Sequence, residues 1–276
     1  MPHRWAGRAP GYGPMVLFRC LLLQQWYGLS DPGLEEALAD RLSFRRFVGL
    51  ALDDAVPDHS TLSRFRTALA GRRLEQALLA ELDRQFAAKG LVLKRGTLAD
   101  ATLVAADARR PRKGEPEAQR SDPDAAWNAM PDAGPLFGYK AHLAVDQGSG
   151  LVRRAILTPA NVSDRTPAPA LIQGDEAAFY ADRGYDGCWL RDRLAERGVA
   201  DRVMRPDYRR RRLTPDERAR NRAIAPVRAQ VERTFAILKR WYGYTRVRYR
   251  NLARNSLQLH LLCLALNLRR ALVLAG

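Results

Sequence analysis

Apolar residues recur at helical spacing from Met15 to about Tyr27, and again at Leu74, Leu78, Leu82 and Phe86 in a helix that ends at Gly90. Between them, Asp31 as N-cap with Pro32 at the first helical position opens a helix through Asp40. Another helix follows at SFRRF, and Asp58 or Ser60 caps one that runs to Leu69. Residues 1–14, MPHRWAGRAPGYGP, show no period and read as a poorly ordered lead-in. The pattern therefore predicts a small all-α domain over residues 15–92.

Beyond Gly90 the period shortens to two. Thr97 to Ala106 is a strand, and YKAHLAVDQGSGLVRRAILTPA is a hairpin whose turn is Asp146 to Gly150. Arg109 to Gly138, between them, is too long for an ordinary connection, so it is either disordered or functional. Its Trp127 is suited to stacking on an unpaired base or to packing over the loop. Ser163 or Asp164 opens a helix to Leu171, Ala178 to Ala181 is a fourth strand ending at Asp182, and Trp189 to Arg197 is a helix. Asp201 to Met204 is a short fifth strand. From Pro226 to Tyr249 a further helix carries Val227, Val231, Phe235, Leu238 and Tyr242 as an apolar stripe. On another side Arg228, Glu232 and Lys239 fall within roughly 40° of one another. The closing helix, Asn255 to Leu272, is apolar on more than one face and covers the sheet.

Composition narrows the class. An apolar fraction of 46% in 276 residues supports a sizeable core, and 46 Lys and Arg against 30 Asp and Glu give a net charge of +16, which favours a polyanionic partner. Residues 202–222 alone hold nine Arg against three acids. In the helical region Arg45, Arg46, Arg64, Arg66, Arg72 and Arg73 tilt the reading toward DNA contact, with solvated helix faces as the alternative. Cys20, Cys188 and Cys263 are few and scattered, which argues against a disulfide framework or a zinc site and fits a reducing cytoplasm. The run MVLFRCLLL is interrupted by Arg19, and Leu257 to Leu268 is too short to span a bilayer, so no membrane partner is expected.

Two acids sit inside hydrophobic runs: Asp100 in GTLADATLVAA and Asp182 in AAFYADRGYDG. A lone aspartate in a strand interior costs several kcal/mol unless something compensates its charge, and a divalent metal ion would. The blocks ADATLVAA, FGYKAHLAVD, TPANVSD, YADRGYDG and VRAQVERTFAILKRWYGYTRVRYR resemble, in that order, the DDE transposases of bacterial insertion sequences, and most closely the group named after insertion sequence five. The resemblance runs from about Leu21 to Leu268. Members of that group usually begin further upstream, so Met1 is expected to be a truncated or misassigned start.

The resemblance implies an α/β protein. A ribonuclease H-like catalytic domain, a mixed five-stranded sheet with flanking helices, would span residues 93–276 behind the all-α domain. The order of strands and helices agrees with that fold, in which the first and fourth strands are neighbours. Asp100, Asp182 and Glu232 are then the catalytic and metal-binding carboxylates, suited to two Mg²⁺ ions, or Mn²⁺, about 3.5 to 4 Å apart. Lys140, Arg228, Lys239 and the run Arg209, Arg210, Arg211, Arg212 are the expected DNA contacts, an i,i+4 pair of Arg228 with Glu232 being the plainer reading of that helix face. Where the family's signature has a Tyr on this helix, the chain has Ala225. Asp107, Asp146, Asp164 and Asp186 are rival acids with ready structural roles in turns and caps.

The implied activity is metal-dependent cleavage at an element's terminal repeats and joining of its 3′-hydroxyl ends to target DNA. It would be carried out by a homo-oligomer on double-stranded DNA in the bacterial cytoplasm, at the nucleoid. Two other readings stay open on the sequence: a decayed or co-opted, non-catalytic DNA-binding protein, and a ribonuclease H-like nuclease that cuts without joining.

Overall fold

Local chemistry sets the limits of the first helices in the computed structural model, which describes residues 11–112, 116, 121–128, 134–208 and 211–276. Pro14 starts α1 (Pro14–Tyr27), and Gly28, at φ 66°, ends it in the left-handed conformation that glycine adopts without strain. Ser30, and not Asp31, caps α2 (Asp31–Asp40) by accepting from the Gly33 N–H. The Asp31 carboxylate instead takes hydrogen bonds from Gln24 and from Arg66, whose side chain also donates to Gln24. Helices α3 (Leu42–Val48) and α4 (His59–Gly71) follow, the latter capped by Asp58. Arg66 is buried, and Arg45 is buried with its guanidinium on the carbonyls of Ala51, Leu52 and Asp54. These two arginines hold the helical unit together and are not free for DNA. Residues 1–10 of the expected lead-in lie outside the described residues.

That unit ends at Arg72, and the second begins at Arg73. The expected boundary near residue 92 is therefore displaced by one helix. The reason is α5 (Glu75–Ala88), whose Phe86 joins Val92, Leu151 and Ala271 in one apolar cluster. A buried fork fixes it further: Arg153, only 3% exposed, donates to both Asp83 oxygens at 3.0 Å and to both Asp175 oxygens at 2.7 and 2.9 Å.

Among the described residues the sheet has six strands where five were expected: β1 (Thr97–Ala105), β2 (Ala126–Trp127), β3 (Phe137–Asp146), β4 (Val152–Pro159), β5 (Ala178–Ala181) and β6 (Ala200–Val203). The extra one, β2, is two residues long and pairs with the start of β3, with Trp127 against the Phe137 ring. β3 is buried at every position and lies antiparallel between β1 and β4, while β1, β5 and β6 run parallel. The Asp146–Gly150 turn is present; the Asp146 carboxylate accepts from the Leu93 and Lys94 N–H groups and from Ser149. Phe179, Tyr185, Leu190 and Leu194 form the core under α6 (Ala168–Leu171) and α7 (Cys188–Glu196).

The expected helix from Pro226 to Tyr249 is two helices, α8 (Pro215–Arg228) and α9 (Gln230–Trp241), with Ala229 between them. Pro226 has no N–H to continue the ladder, and the next turn tightens so that Glu232 N–H bonds the Ala229 carbonyl. α9 stops early because Gly243, at φ 64°, reverses the chain, after which the Ala105 N–H donates to the Thr245 carbonyl and the Ala105 carbonyl accepts from the Val247 N–H at the end of β1. The last helix, α10 (Leu252–Ala275), is longer than expected and packs on β4 and α5. It is long and apolar enough by composition to cross a membrane, but 67% of its most apolar window is buried within the protein. Replacing Asp83 with Ala strands part of a buried guanidinium; urea unfolding should show a loss of about 2 to 3 kcal/mol, with the midpoint of the exposed Glu81→Ala staying close to wild type.

Candidate active site

The two strand acids meet because of register. β1 and β5 pair Thr97 with Phe179 and Leu98 with Tyr180, and the same offset carried two residues further sets Asp100 beside Asp182. Asp100 is in the interior of β1, opposite Leu143 of β3, with its Oδ1 accepting from the Ala101 N–H at 2.8 Å. Asp182 directly follows β5 and caps the 3-10 turn Arg183–Tyr185, accepting from Gly184 N–H at 2.9 Å.

Arg228, from the last turn of α8, connects the first of these acids to the third. One guanidinium nitrogen donates to Asp100 Oδ2 at 2.9 Å and the other to Glu232 Oε1 at 2.9 Å. Glu232 lies in the first turn of α9, which packs on β1 and buries Val231, Phe235 and Leu238; its side chain, 60% exposed, is the most exposed member of the set. Burial is the largest cause raising Asp100, to about 6, and the charges of Asp182 and Glu232 add to it, while the Ala101 N–H and Arg228 pull back. Asp182 is raised too, first by burial and then by Asp164. The three carboxylates thus share one electrostatic neighbourhood with a single bonded guanidinium.

The expected cations fare unequally. Lys239 is half-buried in the last turn of α9 and makes no ion pair with a described residue. Arg211 pairs with Glu217 at 2.6 Å and Arg212, 75% exposed, reaches Asp207 only at 3.4 Å; Arg209 and Arg210 lie outside the described residues. Arg205 and Arg220, from the same basic run, bind Asp201 and neighbouring groups and shape the loop. Lys140 is a correction: it is buried, its ammonium donating to Val162 O at 2.8 Å and Asp164 Oδ1 at 2.9 Å, so it does not reach a phosphate.

Asp164 does not cap a helix as expected, since α6 starts four residues later; it lies nearly buried beside Asp182, a placement that its turn-like sequence gave no means of finding. The other rival acids are engaged elsewhere, Asp186 with Arg191 and Arg205, and Asp107 with Arg246 at 3.8 Å. On the far side of α9 a groove of about 390 Å³ is lined by Arg233, Ile237 and Trp241, away from the carboxylates, with the Arg269 guanidinium over the Trp241 ring.

Among the described residues, no group of three His, Cys, Asp or Glu side chains stands close enough to hold a metal ion as placed. The donor chemistry nevertheless fits a hard divalent cation: all three groups are carboxylates, burial together with neighbouring acids raises the pKa of two of them, and the third, Glu232, is exposed.

A family model described as "Transposase DDE domain" matches residues 93–268, and one described as "Transposase domain (DUF772)" matches residues 3–68. Among solved structures, the chain is similar to "Mos1 transposase paired-end complex with left transposon end", at 11% identity over 88% of this chain and 81% of that one, with a TM-score of 0.24. It is also similar to "Crystal structure of a pre-cleavage Mos1 transpososome", at 13% identity over 98% and 81% of the two chains, with a TM-score of 0.20.

A raised carboxylate pKa has a defined sign in stability. The native state holds a proton on Asp100 up to about pH 6, where the unfolded chain releases it near 3.8, so stability from this group is full below pH 3.8 and is lost as pH rises through 6. The loss is on the order of 2 to 3 kcal/mol. In EDTA, Asp100→Asn should therefore melt several degrees above wild type at pH 8 and close to it at pH 4, as scanning calorimetry would record.

Proposed function

The chain belongs to the DDE transposase family, and from that premise we propose that it cleaves the terminal inverted repeats of an insertion sequence of the group named after insertion sequence five and joins the 3′-hydroxyl ends to target DNA. The observation that carries this reading is the pair of bonds from Arg228 to Asp100 and Glu232, made beside a strand register that brings in Asp182. The strand order β4-β3-β1-β5-β6, with only β3 antiparallel to its neighbours, supports a ribonuclease H-like catalytic domain.

Asp100, Asp182 and Glu232 would hold the divalent ions, Mg²⁺ or Mn²⁺, on hard oxygen donors from two adjacent strands and the facing helix. When bound, such ions activate the attacking oxygen and stabilise the leaving oxygen of an in-line displacement at phosphorus. The chain's own residues prepare that step. The sheet fixes Asp100 and Asp182 through backbone register and through the Ala101 and Gly184 N–H bonds, so neither carboxylate has to be ordered when DNA arrives. Arg228 keeps Glu232 near Asp100 in the free protein and is placed to turn toward a phosphate, for which its planar fork is suited. Lys239, one side of α9 away from the apolar stripe, and the exposed Arg211 and Arg212 are assigned to positioning the DNA backbone, with Arg209 and Arg210 of the same run. The helical unit is assigned to binding the terminal repeats. Two or more copies would hold a pair of ends, since both must attack the target together, in the cytoplasm at the nucleoid.

Mixing the protein with Mg²⁺, pre-cleaved end DNA and a plasmid should give joined products, and Asp100→Asn should give none while binding the same DNA as tightly as wild type. Ends that are cut but never joined under any divalent metal would identify a nuclease instead. Replacing Arg211 and Arg212 with Ala should weaken DNA binding and flatten its dependence on log salt by about 0.9 per lost phosphate contact, a slope measured by fluorescence anisotropy.

A further inference from the structure

One face of the carboxylate cluster has an occupant that the three-acid reading does not use. Asp164 is almost wholly buried, and its Oδ1 is held at 2.9 Å by the ammonium of Lys140, itself anchored on the Val162 carbonyl at 2.8 Å. Its Oδ2 makes no hydrogen bond with a described residue and points to Gly184. A Cβ on Gly184 would come within 3.0 Å of Asp182 Oδ1 and 3.5 Å of Asp164 Oδ2, so the two carboxylates face one small volume that the glycine leaves clear.

Two fully buried polar groups border the same cluster without partners. The Tyr185 hydroxyl is buried in the field of Asp164, Asp100 and Asp182 and has no hydrogen bond. The His142 Nδ1 is unbonded 3.9 Å from Asp164 Oδ1, beyond hydrogen-bond reach, while its Nε2 meets Thr158. A structural ion pair alone does not account for the second oxygen: burying Lys140 and Asp164 together is often no more stabilising than apolar residues of the same size, and the pair needs only Oδ1, whereas Oδ2 is turned to the volume at Gly184 that Asp182 Oδ1 also faces. Two carboxylate oxygens facing one small volume are what a cation satisfies.

We propose that Asp164 is a fourth carboxylate of the cation site, held through Oδ1 by Lys140 so that Oδ2 joins Asp182 over Gly184. This rests on the reading of Asp100 and Asp182 as cation ligands. Lys140 is then a positioning residue: it neutralises one side of Asp164 and fixes the direction of the other.

The test is calorimetric titration of MnCl₂ into the full-length protein without DNA, with melting temperature followed in parallel. Asp164→Asn should weaken Mn²⁺ binding about tenfold or more, and the double variant Lys140→Met, Asp164→Asn, which leaves no unpaired buried ion, should show the same loss. Asp107→Asn, an exposed acid outside the cluster, should bind as wild type does. If Asp100→Asn loses Mn²⁺ binding while both Asp164 variants retain wild-type affinity and lose only melting temperature, Asp164 is structural and the inference is overturned, with the active-site reading intact. If Asp100→Asn itself binds Mn²⁺ like wild type, the cation does not bind here and the inference falls with that reading.

Discussion

A charged carboxylate in the interior of β1 is the constraint from which the rest of the second unit follows. Asp100 is flanked by β3 and β5, and burial there disfavours its charge strongly enough to raise its pKa to about 6. Its compensating cation comes from Arg228, 128 residues later in the chain. Several unrelated features serve that one contact. Pro226 and the Ala229 turn redirect the chain between α8 and α9, α9 packs on β1 with Val231 and Leu238 buried, and the backbone bonds of Ala105 with Thr245 and Val247 tie the segment after α9 to the same strand. Loss of any of them would move Arg228 and Glu232 relative to Asp100 without touching a carboxylate.

Much of this was legible in the sequence because it is encoded by period and register. The alternation through Thr97–Ala105 and Phe137–Asp146, the four-residue apolar run at Ala178 and the stripe on α9 each specify an element and its buried side. Once β1 and β5 are neighbours, the offset between Asp100 and Asp182 follows. What was not legible depends on what covers a side chain from another part of the chain. Lys140 looks like an exposed strand cation until β3 is buried on both faces, and Asp164 looks like a helix cap until α6 begins only at Ala168. The unit boundary moved for the same reason: α5 has an ordinary amphipathic pattern, and it is the Phe86 cluster and the Arg153 fork that assign it to the sheet. β2 is too short to have any period.

Composition overstated the available positive charge. A net +16 suggests a uniformly basic surface, but Arg45, Arg66, Arg153, Arg205 and Arg220 bind carbonyls or carboxylates that the fold needs. An arginine makes up to five donor contacts, which suits it to closing loops as well as to binding phosphate. The cations left for DNA are therefore fewer and more local than the count implies, and the half-buried Lys239 gains weight because it is on α9 itself.

Charge at the site also links the two partners that the proposed function requires. Asp100, Asp182 and Glu232 against Arg228 leave a negative balance in a place where burial already disfavours ionised carboxylates, and a DNA phosphate brings more of the same sign. Phosphate entry alone would raise the repulsion; cation entry alone would relieve it and free Arg228 from its bonds to Asp100 and Glu232. Each partner therefore favours the other, and because the coupling is a free energy it acts equally in both directions. The guanidinium that bridges Asp100 and Glu232 in the free protein is, on this view, the positive charge that an arriving cation replaces.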